Sequence, residues 1–331
     1  ANSRWVLAFF VCALPVMLRP LALPPIGWDL LTYHGPKAAL WVQQGGPALV
    51  LPDVAGTWAH HRNFLAGGEV LYAWALLPLR EELLPMLMQP LQWLCLGGCA
   101  MALGRELGAR EPYASTAAGF LLAIPTTRLL VGAGYVDIPV ALCAAAGLAL
   151  IAQLYKSFAN GEKPNALGLA LLGGAGLGLS CGIKLFAIPA AATALLLLLI
   201  RGIARRKKTA LLLAVGTCVL FALPWPAYNL LDKGRPLWPL HMNAFGIELG
   251  APEATRLKPE PPLPPAYDFE VERRAASKTF PLGAVTTEAL GAPTLIPLLV
   301  LLGTAHLWLR RERWRRRGRR PGVAAAGGPW R

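Results

Sequence analysis

Chemistry-bearing side chains are sparse in this chain, and they gather at a few places. The stretch GWDLLTYHGPKAALWVQQGG, residues 27–46, brings Asp29, Thr32, Tyr33, His34 and Lys37 in close succession. Downstream lie His60, His61 and Arg62, then Arg128, then Asp137 in GYVDIPVAL and Lys184 in GIKLFAIP. The set combines carboxylates able to take a proton from a hydroxyl with cations able to meet an anionic group. Arg128, Asp137 and Lys184 stand in otherwise apolar surroundings, where charge is costly and suggests function by default. His60 and His61 are weak as a metal pair, because adjacent side chains on a regular element point apart.

The elements that must position these groups are membrane helices. Of 331 residues, 55% are hydrophobic and only 15% charged, against about 25% charged in a soluble domain. Apolar runs approach the ~20 residues that cross a bilayer as helix. The reading is an all-α polytopic membrane protein with about eight spans, or about seven to ten allowing for uncertain boundaries. The spans fall near 5–23, 83–104, 113–131, 137–155, 165–182, 185–200, 209–228 and 294–309. The run 67–79 is too short to cross and reads as an interfacial or re-entrant helix.

Charge sets the orientation. Arg105 and Arg110, Lys156 and Lys163, the cluster 201–208, and a tail from Arg310 to Arg320 with eight arginines all fall on one side if the N-terminus is cytoplasmic. Residues 1–309 then form one transmembrane domain, and 310–331 a basic, disordered cytoplasmic tail. Two large loops face outward: 24–82, with interfacial helices, and the proline-rich 229–293. The net charge of +14 resides in juxtamembrane clusters and accompanies no nucleic-acid fold pattern, so nucleic acid is excluded as a partner and membrane lipid is expected. The six cysteines sit in apolar runs and suggest no disulfide framework. Gly174, Gly178 and Gly182, four apart, should line one helix face for close packing.

Each singled-out residue has a plainer alternative. Arg128 and Lys184 would snorkel to headgroups. Asp137 would cap its span and Asp29 the helix of LLTY. His60 and His61 would be ordinary interfacial histidines.

The stretch from Trp28 resembles the first outer loop of bacterial GT-C-type membrane glycosyltransferases, the class of protein O-mannosyltransferases and the lipid A aminoarabinose transferase. The resemblance rests on Trp28, Asp29, Thr32, Tyr33, His34, Pro36, Trp41 and Gln43. YVDIPVAL resembles the family's second acidic motif and KLFAIP its lysine-bearing turn. NLLDKGRPLWPL resembles a later motif, with Arg235 and Trp238 replacing the usual Asn and Tyr, and Gly35 stands where many relatives have Leu. The resemblance spans about 24–240. It implies a GT-C-like fold in the cytoplasmic (inner) membrane, with the active site on the extracytoplasmic face.

It also implies a sugar donor linked to polyprenyl phosphate and a glycan, lipid or protein acceptor. Asp29 would be the base and Asp137 a second carboxylate, with Lys184 near the donor phosphate. Arg128, Tyr33, His34, His60, His61 and Arg62 are the further candidates for binding donor phosphate or substrate. No resident cofactor is assigned, and a divalent metal at Asp137 or His60 stays open. Transfer with inversion by single displacement is expected. Two alternatives stand beside this reading. One is a transporter or flippase for a lipid-linked or small polar substrate. The other is a truncated, non-catalytic relative, since members of the class carry more spans.

Overall fold

Long apolar runs fold as helices, some of which carry proline within them, as Leu83–Glu106 carries Pro90, while at Pro125 the helix stops. The structure is a computed structural model that describes residues 3–22, 25, 27–46, 64–160, 165–237, 243–244 and 247–249. Helix α1 (Ser3–Ala22) leads to a π-helical turn (Leu30–His34) that continues into α2 (Gly35–Gln44). Then come α3 (Gly67–Leu76), α4 (Leu83–Glu106), α5 (Tyr113–Ala123), α6 (Pro125–Leu130), α7 (Asp137–Asn160) and α8 (Ala166–Ile183). After a short 3-10 turn (Leu185–Ala187) follow α9 (Ile188–Ala204), α10 (Lys208–Ala222) and α11 (Pro224–Lys233). The described strands are one two-residue antiparallel pair, Asn243–Ala244 with Ile247–Glu248.

The protein is a helical membrane protein. Among the described residues four helices are long and apolar enough to cross a bilayer: Leu83–Glu106, Asp137–Phe158, Ala166–Ile183 and Leu185–Ala204. A fifth crossing arises if α10 and α11, bent by 50°, act as one. At 24 residues α4 extends ~36 Å, enough for a hydrocarbon core of ~30 Å.

The expected span 113–131 is not one helix. It divides into α5 and α6 at Ile124, whose backbone is extended (φ −53°, ψ 125°) ahead of Pro125. Proline disfavours helical backbone at the residue before it and offers no N–H to the preceding turn. The expected span 294–309, the loop beyond 249 and the arginine tail lie outside the described residues.

Helix α8 is the centre of the bundle, packed between α7 and α10. Its glycine stripe makes this possible, as the spacing predicts. A methyl group on Gly182 would sit 2.6 Å from the Phe221 carbonyl oxygen, and one on Gly178 2.9 Å from Cys218 Cα. Gly176, on another face, approaches Gly147 of α7 at 3.0 Å from where its Cβ would lie. In lipid, where apolar burial drives little association, such close backbone approach supplies the packing.

The two ends of the bundle differ chemically. At one end Lys156 of α7 pairs with Glu106 of α4 at 2.9 Å, and Arg201 of α9 lies over the Tyr155 ring. At the other end Asp137, opening α7, pairs with Lys184 at the close of α8. The helices between 24 and 82 gather at that second end, α3 packing on α2, α4 and α8.

Candidate functional site

Local sequence dictates how the first loop is built. Gly27 donates from its N–H to the Ala133 carbonyl (3.1 Å), and the Trp28 N–H donates to the Tyr135 hydroxyl (3.2 Å). Asp29 has helical backbone angles and makes no capping bond, so it is not the N-cap of LLTY. It stands one turn ahead of Tyr33 and, together with burial, its charge helps to raise the Tyr33 hydroxyl. The π-helical turn then widens the helix; such turns recur at functional sites. Its inward stripe, Leu30, His34, Lys37, Ala38 and Trp41, repeats at i, i+4, i+7, i+8 and i+11 and is buried throughout. Two of these five are ionisable, which a purely structural stripe would avoid.

Their partner comes from α3. Glu69 is 1% exposed, as is Lys37, and His34 is 3% exposed. Lys37 Nζ lies 3.5 Å from Glu69 Oε1 and donates to the Phe64 carbonyl at 3.3 Å. It also sits over the rings of Trp225 (4.7 Å) and Trp41 (5.6 Å). His34 Nδ1 is 3.3 Å from the same Glu69 oxygen. Gly67 and Gly68 let α3 come this close, since a side chain on Gly67 would stand 2.8 Å from the Gly182 carbonyl oxygen. Burial alone would raise the Glu69 carboxyl, but the Lys37 ammonium and His34 hold it below the usual carboxylate range. Burial lowers Lys37, and Glu69 restores part of that loss.

Tyr33 joins this knot to the other carboxylates. Burial raises its hydroxyl well above the ordinary tyrosine value, and the charges of Asp29, Glu69 and Asp137 all push the same way. The hydroxyl therefore stays protonated. Its ring packs on His34 (4.1 Å) and edge-on against Phe64 (6.0 Å). Asp137 is bound to Lys184 at 2.8 Å, both side chains about a quarter to a third exposed (30% and 25%). Lys184 Nζ lies 5.8 Å from the centre of the Phe186 ring.

Of the residues singled out from sequence, Asp29, Tyr33, His34, Asp137 and Lys184 thus share one end of the bundle. Arg128, on α6, is at that end too but belongs to none of the ion pairs just described. His60, His61 and Arg62 lie outside the described residues. Among the described residues no three His, Cys, Asp or Glu side chains converge to hold a metal ion.

Sequence reasoning gave no site role to Lys37 or Glu69, although the stripe from Leu30 to Trp41 carries the signal for the first. It also left out Trp225, whose bend into α11 sets its ring 5.9 Å from that of Trp41. Asn229, 1% exposed, donates to the Pro236 carbonyl at 3.5 Å and braces the turn after α11.

Compared with known proteins, the chain matches no family model, no curated protein and no solved structure.

Proposed function

We propose that the protein is a membrane glycosyltransferase that moves a sugar from a polyprenyl-phosphate donor to an acceptor hydroxyl. The observation that carries the reading is the gathering of Asp29 and Tyr33 with the Asp137–Lys184 pair (2.8 Å) at one end of the bundle, beside the buried Lys37, Glu69 and His34. Carboxylates and cations concentrated at one end of apolar helices suit a substrate whose reactive head is polar and whose tail is confined to lipid. By the positive-inside rule this end faces away from the cytoplasm, because the opposite end carries Arg105, Lys156 and the cluster 201–208.

In this scheme the half-buried Asp29, oriented by Tyr33, takes the proton of the attacking hydroxyl. The new bond forms at the anomeric carbon through an oxocarbenium-like state, and the anomeric C–O bond to phosphate breaks. The electron pair leaves with polyprenyl phosphate, and Lys184 meets the growing negative charge. Single displacement inverts the anomeric centre.

The test uses the purified chain in liposomes with a panel of polyprenyl-phosphate hexoses and pentoses, scored by mass spectrometry for released polyprenyl phosphate. Turnover by the native chain that Asp29→Asn abolishes, with folding intact, is the expected result. Release at the native rate by the variant would remove Asp29 as base.

The breaks at Pro125 and at the α10–α11 bend favour one second reading, transport of a lipid-linked substrate, since transporters place interrupted helices at their sites. Translocation of a polyprenyl-phosphate sugar without its consumption would select that reading.

A further inference from the structure

Gln89 is an amide inside an apolar span, 2% exposed, between Met88 and Pro90 of α4. A side-chain amide offers two donor hydrogens and two acceptor lone pairs, and here every one has a partner. Nε2 donates to the Tyr72 hydroxyl (2.7 Å) and to the Tyr135 carbonyl (2.9 Å). Oε1 accepts from the N–H of Gly132 (2.6 Å) and of Gly134 (3.2 Å). The two glycine donors fix the orientation of the amide, since only oxygen can accept from both.

The segment it holds, residues 131–136, has left-handed backbone at Gly132 (φ +76°) and Gly134 (φ +86°), which glycine adopts freely. A side chain at Gly134 would drive into Leu30. From this segment the chain runs straight into Asp137. Its Ala133 carbonyl and Tyr135 hydroxyl accept from Gly27 and Trp28, directly ahead of Asp29. The remaining bond of the amide reaches Tyr72 on α3, one turn beyond Glu69. One side chain thus touches α3, which carries Glu69, and the segment that runs into Asp137, and that segment in turn holds Gly27 and Trp28 ahead of Asp29.

We propose that Gln89 is the positioning residue of the three-carboxylate centre, setting Asp29, Glu69 and Asp137 relative to one another through the 131–136 segment. This rests on the glycosyl-transfer reading only in taking Asp29, and the Lys184 that Asp137 holds, to be the groups that act on substrate. A misplacement of about 1 Å at a reacting group costs on the order of a hundredfold in rate, so the effect belongs in kcat.

Two variants of the full chain in nanodiscs test it. Gln89→Met is close in size and removes all four bonds. Gln89→Glu in its neutral form keeps the carbonyl oxygen as acceptor for Gly132 and Gly134; its hydroxyl donates to the Tyr135 carbonyl, and the Tyr72 hydroxyl can turn to donate to it. With the panel donor that the native chain turns over fastest, Gln89→Met should lower kcat by about thirtyfold or more with KM within roughly twofold. Gln89→Glu should recover to within about fivefold of native. In parallel, amide hydrogen exchange in peptides covering 129–137 and 27–34 should quicken by about tenfold in Gln89→Met, with α8 and α10 unchanged.

Native kcat in Gln89→Met would overturn the inference. So would losses spread evenly over exchange in all helices and thermal stability, or a Gln89→Glu variant no better than Gln89→Met. If the native chain turns over no donor, the glycosyl-transfer reading fails by itself. The exchange pattern then decides: quickening confined to the two segments upholds Gln89, and native exchange there sinks it.

Discussion

The buried ion pair Lys37–Glu69 allows a prediction whose sign and size follow from its surroundings. Replacing Lys37 by Met keeps the length of the stem and removes the ammonium. Glu69 is then left 1% exposed with His34 at 3.3 Å as the ion-pair partner that remains. Removing one member of a buried pair costs about 3–5 kcal/mol, because the other charge keeps its desolvation penalty. At about 2–4 °C per kcal/mol for a domain of comparable size, the apparent melting temperature should fall by about 6–20 °C. The pH dependence should reverse as well. In the native chain Glu69 is held below the ordinary range. It therefore stabilises fully above the unfolded value of about 4.3 and loses that contribution as pH falls through the lowered folded value. In Lys37→Met burial acts without the ammonium and raises the carboxyl, so the deficit grows as pH climbs from about 4.3 through the raised value. The variant should melt higher at pH 5 than at pH 8. Adding Glu69→Met removes the stranded charge and should recover most of the loss. The assay is intrinsic-fluorescence melting of detergent-solubilised protein at the two pH values, run as a double-mutant cycle. A single-variant loss under about 2 °C, a deficit equal at both pH values, or a double variant no better than the single would each refute this account of the pair.

Two more outcomes follow from the packing and from the exposed pair. Gly178→Ala aims a methyl at the Cys218 backbone, which cannot swing away as a side chain would, and should cost about 1–3 kcal/mol in melting. Gly216→Ala, with nothing within 4 Å of the added carbon, should be neutral or stabilise by up to about 1 kcal/mol through helix propensity. Lys184→Met breaks a pair that water already screens, so stability should change by about 1 kcal/mol or less. In the liposome assay, however, polyprenyl phosphate release should fall on the order of a hundredfold; a variant that keeps native release would separate Lys184 from the leaving group.

What was legible in the sequence depended on how far apart the interacting residues lie. The grouping of Asp137 with Lys184 was readable because the two close and open adjacent spans, so the hairpin topology alone brings them to one end. The glycine spacing of α8 was readable for the same reason, since periodicity within one helix defines a face without knowledge of the neighbour. The break at Pro125 was lost because an averaged apolar run conceals one proline. Glu69 stayed unassigned because α3 is too short to cross and its orientation depends on Gly67 and Gly68 meeting the end of α8. Gln89 was hidden most completely. One amide barely alters the hydropathy of a 24-residue span, and the donors to its oxygen lie 43 and 45 residues further on, on glycines with no polar side chain to signal them. A polar residue in a span is costly unless every bond is satisfied. The sequence shows the cost at position 89 but not the loop that offsets it. The residues that hold this centre together are therefore its least visible part in one dimension, and Asp29 and Asp137, which they hold, are its most visible.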